Sequence, residues 1–389
     1  MAKEYVLSID QGTTGTCWAF AAMASLESRL KPSQAWNFSE DNLVNRHGFS
    51  HVNRYQDGGT LQMAEAYLAR WDGPLAESTD PFQSPVNPFG PVRKRVQGFV
   101  LLEPRQSDSD NDAIKAAVID YGAVATQMYF PEEDQYPYDA THGFYQATAP
   151  DKNGDGVPDV NHGVAIVGWD DGYSRVQFES EPPGDGAFLV RNSWGIDWGD
   201  RGYFWISYYD AALARSDMAL AFRRVDPIGR YARTYGHDRF GWTSEAGLIG
   251  TSDAGVAKFA SRFTAKASEK VAAVSFYTIA PNAAYKVYAG PSLKSLTLRG
   301  SGRITYAGYC TVPMSRMYVR KGRTFVVAVR LDVPGTDTPI PLEDRIAGYA
   351  PANASPGQSY VQVGGKWRDI TSSPDFAEAN VCLKAFTQK

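Results

Sequence analysis

A chain of 389 residues exceeds the usual size of one domain and leads us to expect two. Its net charge of −4, with 21% charged residues, provides neither a basic stripe for nucleic acid nor an acidic tail, and no apolar run is long enough to span a membrane. Three cysteines, Cys17, Cys310 and Cys382, are too few for a disulfide scaffold and form no CxxC zinc pair. Cys310 and Cys382 either pair in an oxidising compartment or stay as small buried residues.

The elements follow in chain order. From Cys17 to Leu30 an Ala-rich run places Phe20, Met23, Ala24 and Leu30 at helical spacing, and Lys31-Pro32 stops it. This predicts a buried helix with Cys17 in its first turn. Ser39 is the expected N-cap of a short second helix, and a third follows the Gly58-Gly59 turn through TLQMAEAYLARW. Residues 75–104 are proline-rich and read as loop. Asp110 or Asn111 caps a helix over AIKAAVIDYG, which Gly122 closes. The runs VATQMYF, GVAIVGW, GAFLVRN and YFWISYY then predict strands, so helices and strands segregate into two layers. Beyond about residue 225 no amphipathic helix is evident; KVAAVSFYTI, AYKVYAG, TFVVAVRL and similar stretches predict a β-sandwich. The expected division is therefore 1–225 and 226–389.

Cys17 at a helix N-terminus meets the partial positive charge of unpaired N–H groups, which favours the thiolate. His162 opens an apolar strand in VNHGVAIVGW, 145 positions after Cys17, and Asn192 lies in RNSWGIDWGDRGYFWI. A thiol, an imidazole and an amide are the parts of a cysteine-nucleophile site.

Those motifs resemble the papain family of cysteine peptidases. QGTTGTCWAF is similar to the family's segment around the nucleophile, and the NSWG…WG…GY run to the segment of its orienting asparagine. The Cys17–His162 separation falls within the family's span of about 130–150 residues. NFSEDNLV is similar to its second helix, and YQDGGT to its glycine-pair loop. The resemblance implies an α+β fold: a two-lobe peptidase, one lobe helical and one like a β-barrel, followed by an all-β sandwich. It implies Cys17 as nucleophile, His162 as its base and Asn192 accepting the imidazole Nδ1–H under the shield of Trp194. Gln11 would hold the oxyanion together with the Cys17 N–H. Gly58 and Gly59 would admit substrate backbone in the S2–S3 region, with Trp194 and Asn161 also beside the substrate. The family's cysteine at the position of Thr14, and its partner at that of Gln56, are both missing, so that crosslink is lost.

The resemblance makes a protein or peptide the substrate, requires no cofactor, and implies an extracellular or cell-envelope location, although MAKEYVLSID carries no export signal. Residues from 226 onward, opening on YGHDRFGW, are similar to the lectin-like sandwich that follows papain-type domains in some bacterial and archaeal proteins. Trp242, Tyr360 and Trp367 are candidates for stacking on a glycan, or else core residues. Two other functions are compatible with these motifs: a catalytically silent binding or adhesion protein, and a cell-envelope acyl transferase (transpeptidase) using the same site.

Two motifs point elsewhere. In DKNGDGVPD, Asp151, Asn153, Asp155 and Asp159 stand at positions 1, 3, 5 and 9 of a calcium loop, with Gly156 at position 6. Position 12 is His162, so this is at most a loose calcium site beside an ordinary Asx-turn reading. IDQGTTGT resembles the first phosphate-binding turn of a sugar kinase, with Asp10 and residues 12–15 in the turn. The chain offers no second such hairpin and no βαβ pattern in its C-terminal half.

Overall fold

The computed structural model describes residues 9–50, 53–85, 89–131, 143–247 and 255–389. Helix α1 (Cys17–Leu30) is buried along nearly its whole length, because alanines leave no bulk to keep neighbours away. It is flanked by α2 (Glu40–Arg46) and α3 (Leu61–Ala69). Ser39 caps α2 as expected, its Oγ accepting from Asn42 N at 2.9 Å. These helices form one lobe.

The second lobe is an antiparallel sheet with α4 (Asp112–Tyr121) packed on it. Its strands are β1 (Lys94–Leu102), β2 (Val124–Met128), β3 (His162–Asp170), β4 (Ala187–Arg191), β5 (Tyr203–Ser207) and β6 (Ala219–Pro227). Gly122 ends α4 at φ +99°, where a side chain would be strained and would also meet Ser28 of α1. Ser25 Oγ donates to Ala123 O at 2.6 Å and Ser28 Oγ accepts from Ala123 N at 2.9 Å, fastening α1 to the start of β2.

β1 corrects the loop expected over residues 75–104. The prolines at 81, 85, 88 and 91 all precede it, and VQGFVLL is a run buried on both faces, the pattern of an interior strand. It pairs with β6 on one side and, through Gly98 and Cys310, with the C-terminal strand Gly308–Val319 on the other. The sheet therefore does not stop at the expected boundary near 225. Ten strands run β5-β4-β3-β2-β6-β1 and then on through Gly308–Val319, Glu269–Thr278, Leu383–Gln388 and Arg233–Tyr235. A six-stranded antiparallel sheet containing Val256–Thr264 and Thr324–Asp332 packs against this C-terminal part, which is the expected sandwich.

The helical lobe and the C-terminal part share one core. Phe99 from β1 stacks on Tyr309 at 5.4 Å, and Phe49 meets Phe240 and Tyr349, each at 4.9 Å. Cys310 and Cys382 are both free and buried. Cys310 faces the sandwich core and Cys382 the core shared with the helical lobe, so each is a small packed residue and the alternative of a disulfide falls away.

Candidate active site

The site forms where α1 meets the start of β3. Gly163 sets that approach: a Cβ there would lie 2.9 Å from Trp18 N and 3.1 Å from the Cys17 carbonyl carbon. Only glycine lets the strand carrying His162 lie directly on the first turn of α1. Cys17 and His162 are both buried, and their side chains are hydrogen-bonded to each other. Burial by itself would push the thiol up. The hydrogen bond and charge of His162, with N–H groups of Gly163 and Trp18, more than offset this and hold Cys17 below its ordinary value. Burial likewise opposes the imidazolium, but the bond and charge of Cys17 and the bond to Asn192 leave His162 above its usual value. Both shifts favour a thiolate–imidazolium pair.

Asn192 Oδ1 accepts from His162 Nε2 at 2.7 Å and from Ser193 N at 2.8 Å. The second bond fixes the amide's orientation, since only its oxygen can accept from a backbone N–H. This corrects the nitrogen expected from the sequence: Asn192 takes Nε2–H, and Nδ1 is left for the thiol. His162 opens β3 and Asn192 follows β4, the strand paired with it, so the nitrogen that meets Asn192 depends on how the two strands sit together, which the sequence does not display. Trp194 covers the pair, its ring 4.8 Å from that of His162, and Phe130 closes edge-on against Trp194 at 4.9 Å.

Gln11 is buried beside this line. Its Nε2 donates to Thr14 O at 2.5 Å, and its Oε1 accepts from Ser193 Oγ at 2.5 Å. Gln11 N also donates to Ser193 O at 2.8 Å, and Asp10 bridges to Trp194, so this segment ties α1's approach to the other lobe. Residues 12–15 form a turn in which Asp10 Oδ1 accepts from Gly12 N, feeding α1 directly. That arrangement removes the kinase reading. Residues 1–8 of the kinase-like lead-in lie outside the described residues.

At the place of the lost crosslink, Gly15 N donates to Tyr55 O at 2.6 Å, and Gly15 abuts the Gln56 carbonyl. The glycine pair divides its work. Gly58 has φ +72°, whereas a Cβ on Gly59 would lie 2.4 Å from the Trp18 indole. Asn161 is exposed and grips Phe130, donating to its O and accepting from its N, each at 2.7 Å. Its observed task is to hold the ring that backs Trp194.

The expected calcium loop is held by its own side chains. Asp151 Oδ1 accepts from Gly154 N and Asp155 N, Asp151 Oδ2 from Gly156 N, Asp155 Oδ1 from Val157 N and Asp159 Oδ2 from Lys152 N. Asn153 donates to Asp155 Oδ2 and accepts from Asp155 N. This is a set of Asx turns, and among the described residues no three His, Cys, Asp or Glu side chains converge as a metal site.

Of the glycan candidates, Trp242 packs between the sandwich and the helical lobe. Tyr360 and Trp367 lie instead on the six-stranded sheet with Tyr288. They do not share one platform.

Sequence reasoning missed Gly163, Ser193 and Phe130. Gly163 and Ser193 adjoin the two residues already singled out, which was the available signal; Phe130 gives none.

The papain family cysteine protease model matches residues 3–220, more than half of the chain. The chain belongs to that family. A lectin-like domain model matches residues 234–387. Rat procathepsin L is 30% identical over 210 residues, covering 51% of this chain and 55% of its own. A cathepsin L-like peptidase of Aedes aegypti is 28% identical over 200 residues, covering 50% and 53%. The chain thus spans about half the length of the curated relatives it matches. The solved structure of the clostridial cysteine protease Cwp84 after propeptide cleavage is similar over 99% of this chain and 97% of that one, with TM-score 0.85 and 27% identity. A second structure, of the cysteine protease and lectin-like domains of Cwp84 from Clostridium difficile, covers 99% and 87% with TM-score 0.84 and 27% identity. The papain-like fold with a C-terminal all-β lectin-like domain therefore extends to a solved relative over nearly the whole chain.

Proposed function

We propose that the chain is a cysteine endopeptidase that hydrolyses peptide bonds at Cys17. The observation that carries this reading is the hydrogen-bonded line Cys17–His162–Asn192 at the N-terminus of a buried helix. The Cys17 thiolate attacks the scissile carbonyl, and the Cys17 N–H with the second hydrogen of the Gln11 amide receives the oxyanion. His162 protonates the leaving amine, then draws a proton from the water that releases the acyl group. Asn192 holds the ring in the tautomer this needs, and Trp194 with Phe130 keeps water from that bond. Cwp84 is described as a surface-layer associated protein, which supports a cell-envelope location and an envelope protein as substrate.

The test uses wild type and Cys17→Ala with a papain-class epoxide and a pool of fluorogenic peptides under reducing conditions. Labelling of Cys17 together with turnover, both lost in the variant, is the expected result. Labelling without hydrolysis, but with transfer to an added amine, would favour the acyl transferase. No labelling would favour a silent binding protein.

A further inference from the structure

A cleft of about 890 Å³ is lined by Arg70, just past the end of α3, and otherwise by residues of the C-terminal domain. None of its lining residues belongs to the catalytic site. Among the described residues the lining holds five cations, Arg70, Arg239, Arg262, Lys266 and Lys384, against one carboxylate, Asp238. The chain as a whole carries net charge −4, so this positive balance is local and runs against the rest of the molecule.

Two of the cations are neutralised within the fold. Lys384 pairs with Asp238, while Arg70 pairs with Asp72 at 2.6 Å and donates to the Arg239 carbonyl at 3.1 Å. Arg239, Arg262 and Lys266 are exposed and have no ion pair among the described residues. Arg262 is held in place nonetheless. Its N donates to Gln358 O at 2.9 Å, and its O accepts from His237 Nε2 at 2.9 Å, with the His237 ring stacked on Phe263 at 4.8 Å. Its guanidinium lies over the Tyr360 ring, 5.7 Å from the centroid. Gly357, at φ +88°, makes room for it, since a Cβ there would collide with Arg262 Nη2.

The unpaired cations come from separate elements: Arg239 follows the strand Arg233–Tyr235, Arg262 lies on Val256–Thr264, and Lys266 stands just beyond that strand. They suit a ligand with negative charge at more than one place. The volume is near the top of the range of roughly 300–1,000 Å³ for small-molecule sites, so one small anion would leave most of it unfilled. Thr234, Thr264, Thr324 and Gln358 add hydroxyl and amide groups to the lining, and Thr234 Oγ1 is buried without a hydrogen-bond partner among the described residues. The aromatic rings of the lining, Tyr235 and Phe263, are buried and offer no face on which a nucleic-acid base could stack. Cations together with hydroxyl and amide groups complement a ligand that is both anionic and rich in hydroxyls.

We propose that this cleft binds an anionic polysaccharide, with its carboxylate or phosphate groups on Arg239, Arg262 and Lys266 and its hydroxyls on the threonines and Gln358. The site is separate from Cys17 and does not depend on the peptidase reading. It gives the C-terminal domain a binding task of its own, on a surface other than the Tyr288, Tyr360 and Trp367 cluster.

The test titrates the full chain by calorimetry with polygalacturonate, phosphomannan, neutral dextran, poly-L-glutamate and inorganic phosphate. Wild type should bind polygalacturonate or phosphomannan, and the tighter of the two identifies the anionic group; dextran should not bind. Arg262→Gln and Lys266→Gln, both at exposed positions, should each weaken that binding by about 3- to 10-fold without moving the melting temperature. Lys294→Gln, exposed and outside the cleft, should leave it unchanged. Raising the salt concentration should weaken binding to wild type, a check that needs no variant. Failure of both anionic polysaccharides to bind would overturn the proposal, as would equal binding of dextran or affinity indifferent to salt. A loss in Lys294→Gln as large as in the cleft variants would trace binding to overall charge and overturn the site. Poly-L-glutamate bound as tightly, with the same response to the variants, would assign the cleft to acidic peptides instead. Inorganic phosphate bound as tightly as either polymer would reduce it to a free-anion site, against the proposal.

Discussion

Asn192 accepts from one imidazole nitrogen and leaves the other for the thiol, so its removal should change proton affinity as well as geometry. In wild type the rate should rise with pH as the Cys17 thiolate forms, and fall as the His162 imidazolium is lost. Because Cys17 lies below and His162 above its ordinary value, the profile should be a broad bell. Asn192→Ala removes a bond that raises His162. It should therefore draw the alkaline limb toward neutrality and lower kcat by roughly 10- to 100-fold, less than the loss of a whole acid–base contribution because the imidazole itself remains. An alkaline limb that stays in place would show that Asn192 does not set the imidazole's proton affinity. Gly163→Ala acts through backbone instead, since its methyl would press on Trp18 N and Cα at 2.9 and 3.0 Å. It should cost about 1–3 kcal/mol of stability and most of the activity. Thermal melting and epoxide labelling check both effects.

At the scale of elements, the helices and the four strands around His162 and Asn192 were legible in the sequence, because apolar spacing and capping residues agreed. That Cys17, Gln11, His162 and Asn192 would come together was legible too, but the nitrogen bonded by Asn192 was not, since it depends on how β3 sits against β4. β1 was hidden by prolines that end just before it, and its partner from the sandwich lies more than 200 residues away, beyond any local pattern. In the loop before His162 the spacing suits calcium, while the side chains at those positions bind their own backbone. Its carboxylates are engaged by N–H groups from residues 152–157, so chelation should leave the melting temperature and the peptidase rate unchanged. A chelator-induced drop in both, restored by added calcium, would show that the loop holds an ion.

At the scale of the whole molecule, one sheet and one core cross between the domains, so the two should not unfold separately. Phe99, Phe222, Tyr277, Tyr309 and Phe240 pack in a cluster that also holds α1 and α3. Tyr309 joins them most closely: its ring stacks on Phe99, and its hydroxyl is hydrogen-bonded to Ser275 Oγ at 2.6 Å. Cutting the chain near residue 225 would expose the β1 edge paired with Gly308–Val319 and the aromatic face of Phe99. Calorimetry of the intact chain should give one transition. Tyr309→Ala, by opening a cavity in the shared core, should cost about 3–5 kcal/mol and lower that single transition as a unit. Two separate transitions in wild type, or a variant in which only the C-terminal signal moves, would show that the domains are energetically independent. The same packing holds the C-terminal segment carrying Trp242 and Tyr349 against α3, with Tyr349 Oη hydrogen-bonded to Thr60 Oγ1 and Gln62 Oε1.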